Sequence, residues 1–203
     1  MSDRVFPTKG ALISTKKSLS LSRLGFELLD KKRNILIREM MALIDRAEAI
    51  QGKIDAIYSE AYLVLQKANM ELGICRELSE TVPIEQGLDI SYRSVMGVEI
   101  PILTLKEQTL DDIPFGLYSS NSTLDKAYKS FIEVKKLTVE LAEVESSVYL
   151  LADSIKKTQK RANALKNIMI PKFEKTVKFI SDSLEEKERE EFSRLKVIKN
   201  KNM

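Results

Sequence analysis

The 203-residue sequence contains no histidine, no tryptophan and a single cysteine, Cys75. Without histidine, imidazole acid–base catalysis and His-ligated metal sites are excluded, and one cysteine cannot build a thiolate zinc site. The lone cysteine also excludes an intramolecular disulfide and fits a reducing compartment; we expect it to fill a small apolar space near a helix end. The chain also lacks a Gly-rich phosphate loop and a nucleophile elbow. These absences predict a non-catalytic protein without a cofactor or metal.

Glycine, proline and aromatic residues are also scarce, with seven Gly, five Pro and 6% aromatic residues, whereas 31% of the residues are charged. This composition is typical of long helices that bury a thin line of side chains. No apolar run approaches the ~20 residues of a membrane-spanning helix, and the first residues lack the apolar core of a signal peptide. We therefore expect a cytoplasmic chain without direct membrane insertion.

A heptad pattern of seventeen seam positions can be written over the first part of the chain: Leu12, Thr15, Leu19, Ser22, Phe26, Leu29, Arg33, Leu36, Met40, Leu43, Ala47, Ile50, Ile54, Ile57, Ala61, Val64 and Ala68. Its narrow stripe is typical of a two-helix seam. Only three of the seventeen seam positions are not apolar: Thr15, Ser22 and Arg33. Thr8 is expected to cap the helix at its start and Pro83 to stop it. The pattern predicts an N-terminal coiled-coil helix over residues 1–78.

Apolar residues step by threes and fours again from Leu124 to Val197. Asn121 or Ser122 is expected to cap this second helix, and Pro171 should kink or briefly break it. The pattern predicts a C-terminal coiled-coil helix over residues 121–203. Because only a short segment joins the two helices, we expect them to lie antiparallel, with residue 78 facing residue 121.

The cap region between the helices, residues 79–120, contains a predicted β-hairpin at about 88–101. Apolar and polar residues alternate on both sides of Met96-Gly97, and glycine allows a tight turn there. Residues 110–118 are expected to be irregular. The residues that we single out in the hairpin are Leu88, Ile90, Tyr92, Val95, Gly97, Val98 and Ile100. The predicted fold is thus mainly α: a long antiparallel two-helix coiled coil with a short β-hairpin between the helices.

The net charge of +3 conceals an uneven distribution. Residues 1–40 carry nine basic and four acidic groups, and residues 156–178 carry eight basic groups against Glu174, whereas residues 79–125 carry eight acidic and two basic groups. The basic clusters have three interpretations: a soluble helix face, a surface that meets an acidic protein, or a nucleic-acid site. The last is disfavoured because no aromatic residues are interleaved for base stacking.

Several segments match a known family in order and spacing over essentially the whole chain. They are Pro7-Thr8-Lys9, Met96-Gly-Val-Glu-Ile-Pro101, Pro114 to Leu124, Arg161-Ala-Asn-Ala-Leu165 with Ile170-Pro171, and Glu190-Glu-Phe-Ser-Arg-Leu195. Together they resemble the D subunit of V-type and archaeal A-type rotary ATPases. The chain departs from the family pattern at Lys9, where arginine is usual, at Ser22, where alanine is common, and at Asp30, where a basic residue is common. Lysine at position 9 lacks the forked donor needed for a bidentate contact.

The resemblance implies a central axle that transmits torque. Its chain ends would insert into a hexamer of catalytic A and B subunits, and its cap end would meet the small F subunit and the funnel-shaped subunit on the membrane rotor ring, which moves H⁺ or Na⁺. The hairpin would influence ATPase activity; the alternative is a clip that closes the coiled coil. The residues expected to contact the hexamer are Lys16, Lys17, Arg23, Lys31, Lys32, Arg161, Arg194, Lys196 and Lys199.

Two other classes explain part of the sequence. A static coiled-coil scaffold or adaptor explains the heptads but not the full-length match, and a nucleic-acid-binding rod explains only the basic clusters. The γ subunit of F-type ATPases has a similar two-helix axle with an α/β domain between the helices. The short insertion here lacks the βαβ alternation of such a domain.

Overall fold

The structure, a computed structural model, describes residues 6–73, 76–106 and 120–201. Two long helical stretches flank a two-stranded β-hairpin, which confirms the predicted fold class. In chain order the elements are α1 (Lys9–Leu72), α2 (Arg76–Ser79), β1 (Leu88–Val95), β2 (Val98–Leu105), α3 (Ser122–Ala164), a π-helical segment (Leu165–Met169) and α4 (Ile170–Lys201). The expectations for Cys75 and for residues 110–118 lie outside the described residues.

Helix α1 begins where the sequence predicts. The Thr8 hydroxyl oxygen accepts a hydrogen bond from the Ala11 N–H at 3.1 Å, and the Thr8 carbonyl accepts one from the Leu12 N–H at 3.0 Å. This is N-capping, in which a side-chain oxygen satisfies an N–H that has no partner within the helix. From this cap the helix runs for 64 residues.

The predicted end of this helix, at residue 78, is wrong. Helix α1 ends at Leu72, and Gly73 follows with φ +80°. A glycine in the left-handed region is a common helix end because it has no Cβ to oppose that conformation. Leu78 belongs instead to the four-residue helix α2 and packs near Ala68 and Leu124.

Residue 71 of α1 meets residue 121, where the expectation had residue 78, although Leu78 of α2 packs near Leu124. The Asn121 side-chain amide donates to the Glu71 carboxylate at 2.5 Å, and the Thr123 hydroxyl donates to the same oxygen at 2.8 Å. The start of α3 therefore faces residue 71, about one heptad earlier than expected. Asn121 occupies the N-cap position, and its carbonyl accepts hydrogen bonds from the N–H groups of Leu124 and Asp125.

The chain forms two compact units, and residues 36–154 form one of them. Within this unit α1 and α3 run antiparallel: Arg46 pairs with Glu140, and Glu71 pairs with Asn121. One apolar cluster is centred on Ile50, Ile54 and Val144, and a second on Ala68 and Leu124. The cores thus consist of the predicted seam positions.

Residues 1–35 and 155–203 form the other unit. Its two chain segments are also antiparallel, since Arg23 pairs with Glu174 at 2.6 Å and Arg33 with Gln159 at 2.8 Å. Two of the polar seam residues bond to their own helix: the Thr15 and Ser22 hydroxyls donate to the carbonyls four residues earlier. A short hydroxyl side chain can therefore occupy the seam without leaving an unsatisfied group.

The hairpin is present with the predicted turn. Strands β1 and β2 pair antiparallel, from Leu88 opposite Leu105 to Val95 opposite Val98. Met96 and Gly97 both have positive φ, 51° and 74°. Positive φ at both central residues defines a type I′ turn, whose twist matches that of the strands. Strand β2 continues past the predicted limit, Pro101, which lies opposite Tyr92.

Pro171 modifies the second helical stretch without breaking it. The preceding residues, Leu165–Met169, are π-helical, and the Ile170 N–H bonds to the Leu165 carbonyl, five residues back. Proline has no N–H, and its ring clashes with the carbonyl four residues earlier. A wider turn before the proline avoids that clash, so the helix continues as α4.

Candidate functional site

All nine residues predicted to contact a hexamer belong to the unit formed by residues 1–35 and 155–203. We call their surface the basic face. Lys32 is half-buried, and the others are exposed: Lys16, Lys17, Arg23, Lys31, Arg161, Arg194, Lys196 and Lys199. Pooling this many like charges destabilises a compact unit and favours an acidic neighbour.

Acidic residues compensate part of the basic face. Glu174 pairs with Arg23 at 2.6 Å, and Lys9, which belongs to the same unit but not to the basic face, pairs with Glu188 at 3.1 Å. Arg194 lies 3.7 Å from Glu190, one helical turn earlier. Such exposed pairs contribute little to stability. The pairs do reduce the positive charge at these positions of the surface.

Arg33, the charged seam position, is held by a polar network. Its guanidinium pairs with Asp30 at 2.6 Å and donates to Gln159 at 2.8 Å and to Asn34 at 3.1 Å. The Asp30 carboxylate neutralises the arginine that the seam half-buries.

Sequence reasoning missed the exposed apolar residues of this unit. On α1, Leu21, Leu24 and Leu28 lie outside the predicted seam and are more than half exposed. On α4, Phe192 and Leu195 are 70% and 64% exposed. The spacing of three and four residues is the signal that could have identified them as a second stripe. Large apolar side chains beside basic ones are typical of a surface that a protein partner covers.

The π-helical segment, Leu165–Met169, contacts α1 through its first two residues. Lys166 lies over the Phe26 ring, 5.7 Å from its centroid, and a Cβ at Gly25 would lie 3.7 Å from the Leu165 side chain. Short π-helical segments are frequent at functional sites because they change which side chains face outward. Here Ile168 is exposed, in the same unit as the basic face.

The hairpin residues named from the sequence divide by exposure. Ile100 is buried and Val95 and Val98 are half-buried, whereas the remaining four are exposed or lie in the exposed part of the turn: Leu88, Ile90, Tyr92 and Gly97. The Leu103 N–H donates to the Glu143 carboxylate at 2.8 Å, so β2 is attached to α3. Sequence patterns did not identify Glu143, because a carboxylate on a helix face gives no local sign of a strand partner.

A salt bridge attaches the start of the hairpin to the same helix. Lys135 donates to Glu85 at 2.5 Å, and the Gly87 N–H donates to the other Glu85 carboxylate oxygen at 2.8 Å. The hydrogen bond from Lys135 lowers the pKa of Glu85, with a further contribution from Gly87. Both contacts favour the ionised carboxylate.

An apolar cavity of about 480 Å³ lies beside this salt bridge, within the unit of residues 36–154. Leu65, Leu78, Leu124 and Phe131 are among its lining residues. In the described ranges, no group of three or more metal-ligating side chains occurs. Among the described helices, none is long and apolar enough to cross a membrane.

The fold and these surfaces define a class: mainly helical proteins in which two long antiparallel helical segments flank a β-hairpin and present charged and apolar faces. A family model that describes the D subunit of ATP synthase matches residues 11–200. The chain belongs to this family.

Three relatives show how completely the chain is covered. It is 43% identical over 199 residues to the D subunit of the V-type ATP synthase of Thermotoga neapolitana, covering 97% of this chain and 98% of the relative. It is 39% identical over 202 residues to the D subunit of the A-type ATP synthase of Methanobrevibacter smithii, covering 98% and 87%. It is 36% identical over 200 residues to the D subunit of the A-type ATP synthase of Pyrococcus abyssi, covering 97% and 94%. The similarity thus extends through both helical segments and the hairpin.

Proposed function

We propose that this chain is the central-stalk rotor component of a V-type rotary ATPase. It transmits torque between ATP hydrolysis or synthesis in a hexamer of A and B subunits and the translocation of H⁺ or Na⁺ by a membrane ring. The chain itself is non-catalytic. The observation that carries the proposal is the near full-length similarity to the D subunits of V-type and A-type ATP synthases. The long α-helices support it, because a continuous helix resists bending and twisting.

The basic face and its apolar neighbours are the proposed hexamer contact. Lys16, Lys17 and Lys31 are exposed on α1, and exposed leucines accompany them. Long-range attraction between basic side chains and acidic loops persists as a shaft turns, whereas deep complementary pockets would hold it at one angle. This surface therefore suits a contact that must form and release repeatedly.

The unit of residues 36–154 is the proposed contact for the small F subunit and for the funnel-shaped subunit on the rotor ring. It carries the hairpin, the apolar cavity and the more acidic sequence. In this arrangement the chain is cytoplasmic and peripheral to the membrane, to which it is connected only through the complex.

Reconstitution tests the proposal directly. Purified A, B and F subunits are assembled with and without this chain, and stoichiometry, ATP hydrolysis and rotation of a bead attached to the hairpin end are measured. We expect one copy per hexamer and ATP-driven rotation. If the A, B and F subunits assemble in the same ratio and hydrolyse ATP at the same rate when this chain is left out, a static scaffold would be favoured.

Charge reversal tests the hexamer contact. Replacing Lys16 and Lys17 by glutamate should weaken hexamer binding by about tenfold or more at low salt, and the loss should shrink as salt screens the charges. The matched control is Lys53→Glu with Lys67→Glu, which reverses two exposed lysines of the other unit. Equal effects of the two double variants, or binding that is indifferent to salt, would contradict this assignment.

A further inference from the structure

The outer edge of β1 is an exposed strand edge. The hairpin is attached to α3 through β2, whose Leu103 N–H donates to Glu143. Seven of the eight β1 residues are exposed, and the sheet in the described part of the chain has only these two strands. An edge strand of this length is a template for pairing with another strand. The β1 edge is therefore available for pairing with a strand of another molecule.

The register shows which backbone groups point out of this edge. The Leu103 N–H bonds to Glu143, outside the hairpin, and Pro101 has no N–H. Their cross-strand partners are Ile90 and Tyr92. Both residues therefore belong to non-hydrogen-bonded pairs, which alternate with hydrogen-bonded pairs along an antiparallel ladder. In a non-hydrogen-bonded pair the N–H and C=O groups point away from the partner strand, so those of Ile90 and Tyr92 point away from β2. They are available to a strand that lies beside β1.

The side chains of β1 are complementary to β1 itself. If a second copy pairs antiparallel about a two-fold axis at Ser91, Ile90 falls opposite Tyr92 of the second copy, at the positions whose backbone groups point outward. In the same register Asp89 falls opposite Arg93 of the second copy, and the symmetry repeats both pairs. Opposite charges and an aromatic residue beside a β-branched one are favourable cross-strand pairs. Register, charge and apolar pattern thus agree on one alignment.

We propose that β1 is a self-association edge, through which two copies of this chain form a four-stranded antiparallel sheet when the chain is outside its complex. Four strands are more stable than two, which alone are marginal in water. The pairing would place Ile90 and Tyr92, which are 55% and 67% exposed, beside their counterparts. The inference depends on the hairpin geometry alone and is independent of the proposed rotor function.

Sedimentation equilibrium of the purified full chain tests the proposal from about 1 to about 200 μM. We expect a reversible dimer in this range. Arg93→Asp replaces both Asp89–Arg93 pairs of the symmetric dimer by pairs of aspartates, and this repulsion should weaken the dimer by about tenfold or more. The matched control Glu99→Lys changes a charge on β2, opposite Ser94, and should leave dimerisation unchanged. A monomer throughout the range, or a dimer that Arg93→Asp does not weaken, overturns the proposal.

Complementation provides a second readout. Asp89→Arg alone also repels itself, but a mixture of the Asp89→Arg and Arg93→Asp chains restores both attractive pairs. We expect the mixture to form a heterodimer where neither variant dimerises. Circular dichroism establishes that both variants are folded. Folded variants that remain monomeric when mixed would refute this alignment, because the mixture should contain both pairs of opposite charge.

Discussion

The two units of the molecule stabilise themselves differently. The unit of residues 36–154 has buried apolar clusters around Ile50, Ile54 and Val144 and around Ala68 and Leu124. Among the described residues of the other unit, those that are buried are Thr158, Ala162 and Ile180. That unit instead exposes large apolar residues on α1 and α4. A thin core beside exposed apolar and basic side chains is typical of a surface completed by partners, whereas the first unit depends more on its own packing.

Removing a core side chain should show the largest difference between the units. Ile54→Ala deletes a buried side chain (7% exposed) and should lower the free energy of unfolding by about 2–5 kcal/mol. Phe192→Ala in the other unit removes a 70%-exposed ring and should change the free energy by no more than about 0.5 kcal/mol. Urea unfolding followed by circular dichroism measures both. An equal cost for the two variants would mean that Phe192 packs in the isolated chain.

Glycine replacement sharpens the comparison within a single helix. A Cβ at Gly52 has no atom within 4 Å, and one at Gly25 meets Leu165 at an ordinary 3.7 Å. Each change to alanine should therefore raise the free energy of unfolding by about 1 kcal/mol, because alanine is the better helix former. Thermal unfolding of both variants measures the gain. A gain at Gly52 without one at Gly25 would show that the seam requires a closer approach at Gly25.

Acid titration tests the salt bridge between Glu85 and Lys135, which belongs to the unit of residues 36–154. Lys135 and Gly87 lower the pKa of Glu85. The ionised carboxylate therefore adds to the free energy of unfolding above the ordinary glutamate pKa, and this contribution is lost as the pH falls through the lowered pKa. The difference in unfolding free energy between the parent and Glu85→Gln should therefore shrink from about pH 6 to about pH 3. A difference that stays constant with pH would show that the salt bridge does not contribute.

Surface ion pairs should differ least between the units. Arg23 pairs with Glu174 in one unit, and Arg46 pairs with Glu140 in the other, and all four side chains are at least 40% exposed. Double-mutant cycles with methionine and glutamine replacements should give coupling energies below about 1 kcal/mol in both units. These energies should decrease in about 1 M salt. A coupling that persists at high salt would identify a pair that is shielded from solvent.

Local signals predicted much of the fold. The seam from Leu12 to Ala68, the cap at Thr8 and the turn at Met96-Gly97 were all confirmed, because each depends on side-chain periodicity or on one residue's backbone preference. The predicted end of α1 at residue 78 was wrong because the helix ends at Leu72, before the left-handed Gly73, and side-chain periodicity does not show where the backbone turns. That error displaced the expected pairing by about one heptad.

The candidate site was predicted less completely. The nine basic residues lie in one unit, and their contact with a hexamer stays a prediction. The exposed leucines of α1 were missed because a second apolar stripe resembles the edge of the first in a one-dimensional pattern. The role of Glu143 was missed because its partner, the Leu103 N–H, is 40 residues away in sequence.

The sequence by itself determined the helices, the hairpin and the distribution of charge, since helix periodicity, turn geometry and ionisation are properties of neighbouring residues. Tertiary structure decided the register of the helices, the π-helical turn before Pro171 and the attachment of β2 to α3. These features depend on which distant groups meet, and several registers satisfy the same heptad pattern. Only the packed molecule selects one, because a hydrogen bond or buried side chain stabilises it at a single alignment.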